Sequence, residues 1–421
     1  MKKALLISYY WPPASGPGVQ RWLRFSRYFT ENGIELTIAI PEGAAYPLVD
    51  DNLIHQVPAG ITLIRIPIFE VVRLGGSTGV ALTSERKQTF TDKLKLWLRG
   101  NLLIPDARVF WIKPASHTLK KYIRQYPQDF VISTGPPHST HLIALNLKKS
   151  FPETKWIADF RDPWTNIDFY RDLRLTSMAD ALHHKLERKV LQSADVVFTV
   201  GDVMSEEFRQ MGAQNVYTLT NGYIFEDFDY KNLELDKEFS IGHFGNMPAP
   251  RNPQIVWKVL KKLSDESEDF RRNLRIHLTG HVDSSVLESI AEYDLEKSTV
   301  RFGQIPHGES ILMQRKTQVL LLVANNTPNA KGILTGKVFE YMGANRPVLA
   351  IGPEGGDLQK VIEETECGGF ADYLDGEKVE KLIRGWYAAY KEGNLYVEGA
   401  GREKYSSGGL VKRMVEVMNG M

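Results

Sequence analysis

Apolar positions in the first half of the chain follow two alternating rhythms. Short apolar runs at 4–7, 36–40, 63–66, 130–133, 156–159 and 196–200 read as strands. Between them lie stretches with helical spacing. Val19, Trp22, Leu23, Phe25 and Phe29 recur at three- and four-residue intervals and predict a helix over 19–29. A second helix is expected from about Ser139, after a T-G-P-P loop, and a third, of mixed charge, over 181–191. Strands separated by helix-length segments imply βαβ units and a parallel sheet.

The pattern restarts after residue 235. Strands are expected at 239–243, 274–279 and 299–302, and helices at 254–263 and 286–292. The runs 318–323, apolar after Gln318, and 348–351, wholly apolar, read as central strands covered on both faces. Between the two series, N-G-Y-I-F-E-D-F-D-Y-K-N-L-E-L-D-K (221–237) is acidic and irregular, and the domain boundary is placed there. The predicted fold is α/β: two doubly wound, Rossmann-like domains of roughly 200 residues each, facing a cleft. Ligands of such sheets bind at the carboxyl ends of the strands, so the chemistry is expected in the βα loops of both halves.

Composition narrows the function classes. A chain of 421 residues is comfortable for two domains, and 43% hydrophobic with 24% charged residues is ordinary for a globular protein. The single cysteine, Cys367, excludes an internal disulfide framework and a cysteine zinc site. The N-terminal apolar run is too short for a signal sequence and stops at Pro12-Pro13, and no window reaches 18 uninterrupted apolar residues, so a cytoplasmic protein is expected. The net charge of +1 hides an asymmetry: residues 1–225 hold 27 Lys+Arg against 21 Asp+Glu, and the remainder 25 against 30. Residues 86–124 carry ten basic side chains and only Asp92 and Asp106 as acids.

Candidate chemistry concentrates in a few loops. In G-I-L-T-G-K-V-F-E, Thr335, Gly336 and Lys337 present free amides at a helix start, which favours a phosphate, and the lysine adds a full charge. Glu340, one turn on, can accept hydrogen bonds from paired hydroxyls such as those of a ribose. The same letters also describe a plainly capped helix with Thr335 as N-cap. Walker A is excluded, because Lys331 and Val338 stand where it needs Gly and Ser/Thr. The loop A-S-G-P-G-V-Q-R offers Gly16 and Gly18 for close backbone approach to an anion, but Arg21 occupies the third glycine position of a dinucleotide fingerprint. A-D-F-R-D-P-W ends a strand with charge. Arg161 and Asp162 can hold the hydroxyls of a ligand and Trp164 can stack on its ring, or the charges can form a structural pair. Asp227-Phe228-Asp229 has the letters of a metal-binding D-x-D but lies in the linker and is read as a chance match. No metal and no cofactor are expected.

Several motifs in order carry a resemblance over nearly the whole chain. G-K-V-F-E-Y-M-G-A-N-R-P-V-L-A-I followed by G-P-E-G-G-D-L resembles the donor-nucleotide motif of the retaining glycosyltransferases of family 4, whose two-domain fold is called GT-B. S-Y-Y-W-P-P-A-S-G-P-G-V-Q-R-W, I-S-T-G-P-P-H-S-T-H, A-D-F-R-D-P-W and T-N-G-Y resemble segments of bacterial members that build surface polysaccharides. The resemblance implies an acceptor-binding domain over 1–225, a nucleotide-sugar-binding domain over 236–400 and a C-terminal helix over 401–421 that crosses back to the first domain. It implies that Glu340 is the ribose-binding second glutamate of an E-x7-E motif whose first position here is Gly332. It also implies that His138, in a loop entering a helix, contacts the transferred sugar near its reacting carbon, and that Gly16 and Gly18 approach the donor diphosphate. Asn246 and Asn252 stand near positions where the family often carries phosphate-binding cations, and Arg251 with Lys337 can supply that charge instead.

The basic segment interleaves Lys93, Lys95 and Arg99 with Phe90, Leu94, Trp97 and Leu98, which suits an anionic bilayer surface and a lipid-linked acceptor, though such a helix can equally pack on its own domain. No nucleic-acid-binding module is recognised. The expected function is metal-independent transfer of a sugar from a nucleoside diphosphate to a hydroxyl of a glycan or lipid-linked acceptor. The alternatives are a hydrolysing sugar-nucleotide epimerase on a similar scaffold and a non-catalytic nucleotide-sugar-binding partner.

Overall fold

A computed structural model describes residues 1–70, 90–167, 170–224, 233–397 and 399–421. The side chains of Pro17, 90–93 and Lys95 are not among those described. The chain forms two compact units: Met1–Asn221 with Ser407–Met421, and Gly222–Ser406.

In the first unit, seven strands form one parallel sheet: β1 (Lys2–Ile7), β2 (Ile34–Glu42), β3 (Thr62–Pro67), β4 (Phe130–Gly135), β5 (Lys155–Phe160), β6 (Val196–Thr199) and β7 (Val216–Thr218). Their order is β3-β2-β1-β4-β5-β6-β7. The order reverses between β1 and β4, and that is where an open α/β sheet offers a crevice beyond its strand ends. The helix Pro17–Phe29 buries Val19, Trp22, Phe25 and Phe29, the face its spacing predicts. Against it packs the C-terminal helix Ser407–Asn419, whose Leu410, Val411, Met414, Val415 and Met418 complete the same core. The chain thus crosses back to its first unit after building the second, as expected.

The second unit repeats the plan. β8 (Phe239–His243), β9 (Leu274–Thr279), β10 (Thr299–Gly303), β11 (Val319–Val323), β12 (Val348–Ile351) and β13 (Gly368–Ala371) are all parallel, in the order β10-β9-β8-β11-β12-β13. β8, β11 and β12 are buried at every position, because helices cover both faces of a parallel sheet. Here the order reverses between β8 and β11. β13 was not legible as a strand: Gly368 and Gly369 break its apolar run. A Cβ at Gly368 would lie 2.1 Å from the Val348 carbonyl oxygen.

Candidate functional site

The first cluster lies at the order reversal of the second sheet. β8 ends in His243, and the loop behind it runs through Gly245 and Asn246 to the 3₁₀ turn Ala249–Arg251. Lys337 opens the helix Lys337–Gly343. Its Nζ lies 3.2 Å from His243 Nε2. His243 Nδ1 lies 3.0 Å from the Leu321 carbonyl and Nε2 3.4 Å from that of Asn246; the closer carbonyl takes the ring proton on Nδ1, which leaves Nε2 to accept from the lysine. Burial and the neighbouring Lys337 keep His243 well below the usual imidazole range, hence neutral. Burial, followed by the nearby Arg251, brings the Lys337 ammonium down to about 7, against a smaller opposing pull from Glu340.

Arg251 is fixed by Nε–H donating to Asn325 Oδ1 at 2.6 Å. The unit thus gathers Lys337 and Arg251 beyond the ends of β8 and β11. The Val338, Phe339 and Glu340 amides turn back to the Thr335 and Gly336 carbonyls, whereas those of Gly336 and Lys337 have no such partner among the described residues. Thr335 is not the side-chain cap that its type allows. Gly336 takes the N-cap position, no side chain caps the helix, and Thr335 Oγ1 is buried without a hydrogen bond. Asn246 accepts from the His281 amide at 3.0 Å, and Asn252 holds Ser285, Ser289 and Trp257, so both asparagines brace loops. Gly332 ends the 3₁₀ turn Ala330–Gly332.

Sequence reasoning missed two contributors here. Gly245 has φ +112°, and a Cβ on it would lie 2.8 Å from Lys337 Cε and Nζ. Only glycine lets the loop pass so close to the lysine. His243, the lysine's acceptor, reads in sequence as the last residue of a buried strand. Neither its tautomer nor its partner has a local signature.

The second cluster lies at the order reversal of the first sheet, where Tyr9 and Tyr10 follow β1 and Pro136 to His138 follow β4. A cavity of about 250 Å³ is lined there by Tyr10, Arg99, Arg108, His138, Asp162 and Trp164, among others. The Trp164 ring stacks on His138, with centroids 4.7 Å apart and planes 3° apart, and its Nε1–H donates to His183 Nδ1 at 3.0 Å. His183 Nε2 then donates to the Gly100 carbonyl at 3.3 Å. Burial, with further push from His141 and Arg161, holds His138 neutral, and its Nδ1 is buried without a hydrogen bond.

Of the residues expected at an acceptor, Asp162 and Trp164 line this cavity and Arg161 does not. Arg161 donates to the Gly18 carbonyl at 2.9 Å and to the Pro136 carbonyl, tying the loops after β4 and β5 to the first turn of the helix Pro17–Phe29. A Cβ on Gly18 would lie 3.0 Å from Arg161 Nη1 and 3.1 Å from the Tyr10 ring. Gly16 has φ +98°, which glycine adopts freely. Arg21, the residue that breaks the dinucleotide fingerprint, is buried. It grips Asp159 through Nε and Nη2 at 3.2 and 2.8 Å and also donates to the Leu219 and Thr220 carbonyls. Asp159 further accepts from Trp22 Nε1 and Thr134 Oγ1, and these partners hold its carboxyl below the usual range despite burial.

Among the described residues, no three His, Cys, Asp or Glu side chains stand together as metal ligands. Asp227-Phe228-Asp229 lies outside the described residues, as do 86–89 of the basic segment. Among the described residues, no helix is long and apolar enough to cross a membrane.

No family model matches the chain, and no curated protein does. Solved structures match over its full length. Sucrose-phosphate synthase from Thermosynechococcus elongatus aligns with a TM-score of 0.64 at 14% identity, covering 100% of this chain and 99% of that one. WaaG, a glycosyltransferase involved in lipopolysaccharide biosynthesis, gives 0.54 at 12% identity, covering 100% of both chains. UDP-GlcNAc 2-epimerase from Methanocaldococcus jannaschii gives 0.54 at 11%, also covering 100% of both. The likeness is one of fold, and that fold is GT-B, home to glycosyltransferases and to sugar-nucleotide epimerases.

Proposed function

We propose that the chain is a retaining glycosyltransferase of the family 4 type. It moves a sugar from a nucleoside-diphosphate sugar to a hydroxyl of a glycan or lipid-linked acceptor in polysaccharide biosynthesis. The observation that carries this reading is the cation pair Lys337 and Arg251 at the strand-order reversal of Gly222–Ser406. A buried ammonium is stable only with an opposite charge, and a diphosphate supplies it. Bound phosphate draws the lysine pKa back up, so the leaving diphosphate meets a fully charged ammonium as its own charge develops. The amides of Gly336 and Lys337, Thr335 Oγ1 and the loop at Asn246 complete the donor site, and Glu340 takes the ribose hydroxyls.

In the first unit, His138 is the group set beside the reacting carbon. A neutral imidazole positions a sugar without adding charge of its own, and retention by front-face displacement needs no carboxylate pair. Gly16 shapes the loop after β1 and Gly18 the first turn of the helix behind it; Asp162 and Trp164 line the acceptor side, and Arg161 braces the chain around it. The helix Phe90–Leu102 exposes Leu94, Trp97, Leu98 and Leu102, and the helix Ser177–Ser193 exposes Met178 and Leu182 beside Lys185, Arg188 and Lys189. That mixture supports peripheral contact of residues 86–124 with an anionic membrane on the cytoplasmic side.

The test is incubation with a panel of radiolabelled nucleotide sugars, with and without membrane lipid extract. Label transferred into lipid or glycan, with nucleoside diphosphate released in step, supports the proposal. Nucleotide released in the absence of any acceptor identifies the epimerase. Binding without turnover identifies the non-catalytic partner.

A further inference from the structure

The cavity in the first unit carries more positive charge than the sugar-positioning role of His138 requires. Arg99 reaches it from the helix Phe90–Leu102 and Arg108 from the segment after the Ile104-Pro105 bond. Arg99 makes no hydrogen bond or ion pair among the described residues. Burial and the like charge of Arg108 act against its ionised form, against smaller opposing pulls from Asp106 and Tyr10.

The neighbouring acids are shared with other groups, although Asp106 also acts on both arginines. Asp106 accepts from the Ser139 amide and hydroxyl, each at 2.8 Å, and from the Arg108 amide at 2.9 Å, and so starts the helix Ser139–Lys148. Glu70 takes the Tyr9 hydroxyl and the Ala45 amide and stands 3.6 Å from Arg108 Nε. Asp162 acts on Arg161. His138 and His183 are both held neutral by burial. The remaining walls are apolar or aromatic: Tyr10, Pro105, Trp164, Ile167, Tyr170 and Leu173. At about 250 Å³ the space is near the small end of ligand pockets, which begin at roughly 300 Å³, so it suits one ring with a substituent rather than an extended glycan. Guanidinium groups match phosphate and carboxylate through paired N–H donors.

We propose that this pocket takes an acidic sugar: one ring bearing a phosphate or a carboxylate, with Arg99 as its direct partner and Arg108 as the second cation. The aromatic walls hold the ring and the two arginines hold the anion. This deepens the acceptor side of the transferase reading above and rests on it only for the name acceptor. Binding of the acidic sugar stands on the pocket itself.

The test is calorimetric titration of the full chain with glucose 1-phosphate, glucuronate and glucose, for wild type and Arg99→Gln, with UDP titrated into the same samples. At least one acidic sugar should bind wild type tenfold or more tightly than glucose, and Arg99→Gln should abolish that preference while leaving UDP affinity unchanged. Whichever of glucose 1-phosphate and glucuronate binds more tightly identifies the anion. Equal affinity for acidic and neutral sugars, no binding of either acidic sugar, or a preference that survives in Arg99→Gln overturns the proposal. Should Arg99→Gln fail to fold, the wild-type comparison together with Arg108→Gln decides it. Failure of the donor reading shows separately, as absent UDP binding alongside an intact acidic-sugar preference.

Discussion

Alkaline pH should loosen the hold on a nucleoside diphosphate while it firms the fold. The Lys337 ammonium sits at about 7 in the unliganded protein, against 10.5 for a free lysine. Its charged fraction therefore falls from about nine in ten at pH 6 to about one in thirty at pH 8.5. If a diphosphate binds only the ammonium form, apparent affinity drops about thirtyfold over that interval, or about 2 kcal/mol. His243 lies well below this range and stays neutral, so it adds no slope of its own.

The folding sign is opposite. A cation whose folded pKa lies below its unfolded value contributes a penalty that is full below about 7 and relieved as the pH rises towards 10.5. Calorimetry with a nucleotide sugar at pH 6, 7 and 8.5, in buffers of differing ionisation enthalpy, measures both affinity and proton uptake. Uptake should approach one proton at pH 8.5. Lys337→Met should bind weakly and without pH dependence, and Lys337→Arg, charged throughout, should lose the slope but keep affinity. A flat wild-type profile, or the same slope in Lys337→Met, would refute the assignment.

Four other outcomes follow from the geometry. Asp159→Ala leaves buried Arg21 uncompensated and should destabilise the first unit by about 3–5 kcal/mol, lowering its melting temperature by roughly 6–20 °C in a calorimetric scan. His138→Ala should lower kcat by about 10- to 100-fold with donor Kd unchanged, as steady-state kinetics beside direct titration would reveal. Gly245→Ala puts a methyl group against Lys337 at φ +112°, so it should cost about 1–3 kcal/mol in stability and weaken UDP binding more than tenfold by titration. Removing 407–421 uncovers the core face of Pro17–Phe29. At about 1.5–3 kcal/mol per buried apolar side chain, the loss rivals the stability of a whole domain, so soluble yield should collapse.

The strand–helix alternation was legible because central parallel strands are apolar on both faces: V-L-L-L-V and V-L-A-I announce themselves. Edge strands did not. β7 has three residues and β13 begins with two glycines, so neither makes a pattern. Lys337 and Glu340 could be picked out because a helix start with a lysine and a glutamate is a local signal. What surrounds them is not local. His243 lies 94 residues away in sequence from the lysine it accepts from, and Gly245 is required there by a close approach that no spacing encodes. Arg21 and Asp159 show the same limit from the other side. In sequence they look like a failed fingerprint and a charge at a strand end, and in the fold they are one buried pair joining the helix Pro17–Phe29 to β5. Arg99 read as one more basic residue of an amphipathic helix, because only the folded chain turns it into a cavity.

The most direct measurement is a crystal structure of the protein with an intact nucleotide sugar. The diphosphate should lie within hydrogen-bond reach of Lys337 Nζ and the Gly336 and Lys337 amides, with Arg251 beside it and the Glu340 carboxylate on the ribose. Nucleotide density at any other place in the chain, or a diphosphate that leaves Lys337 untouched, would contradict it.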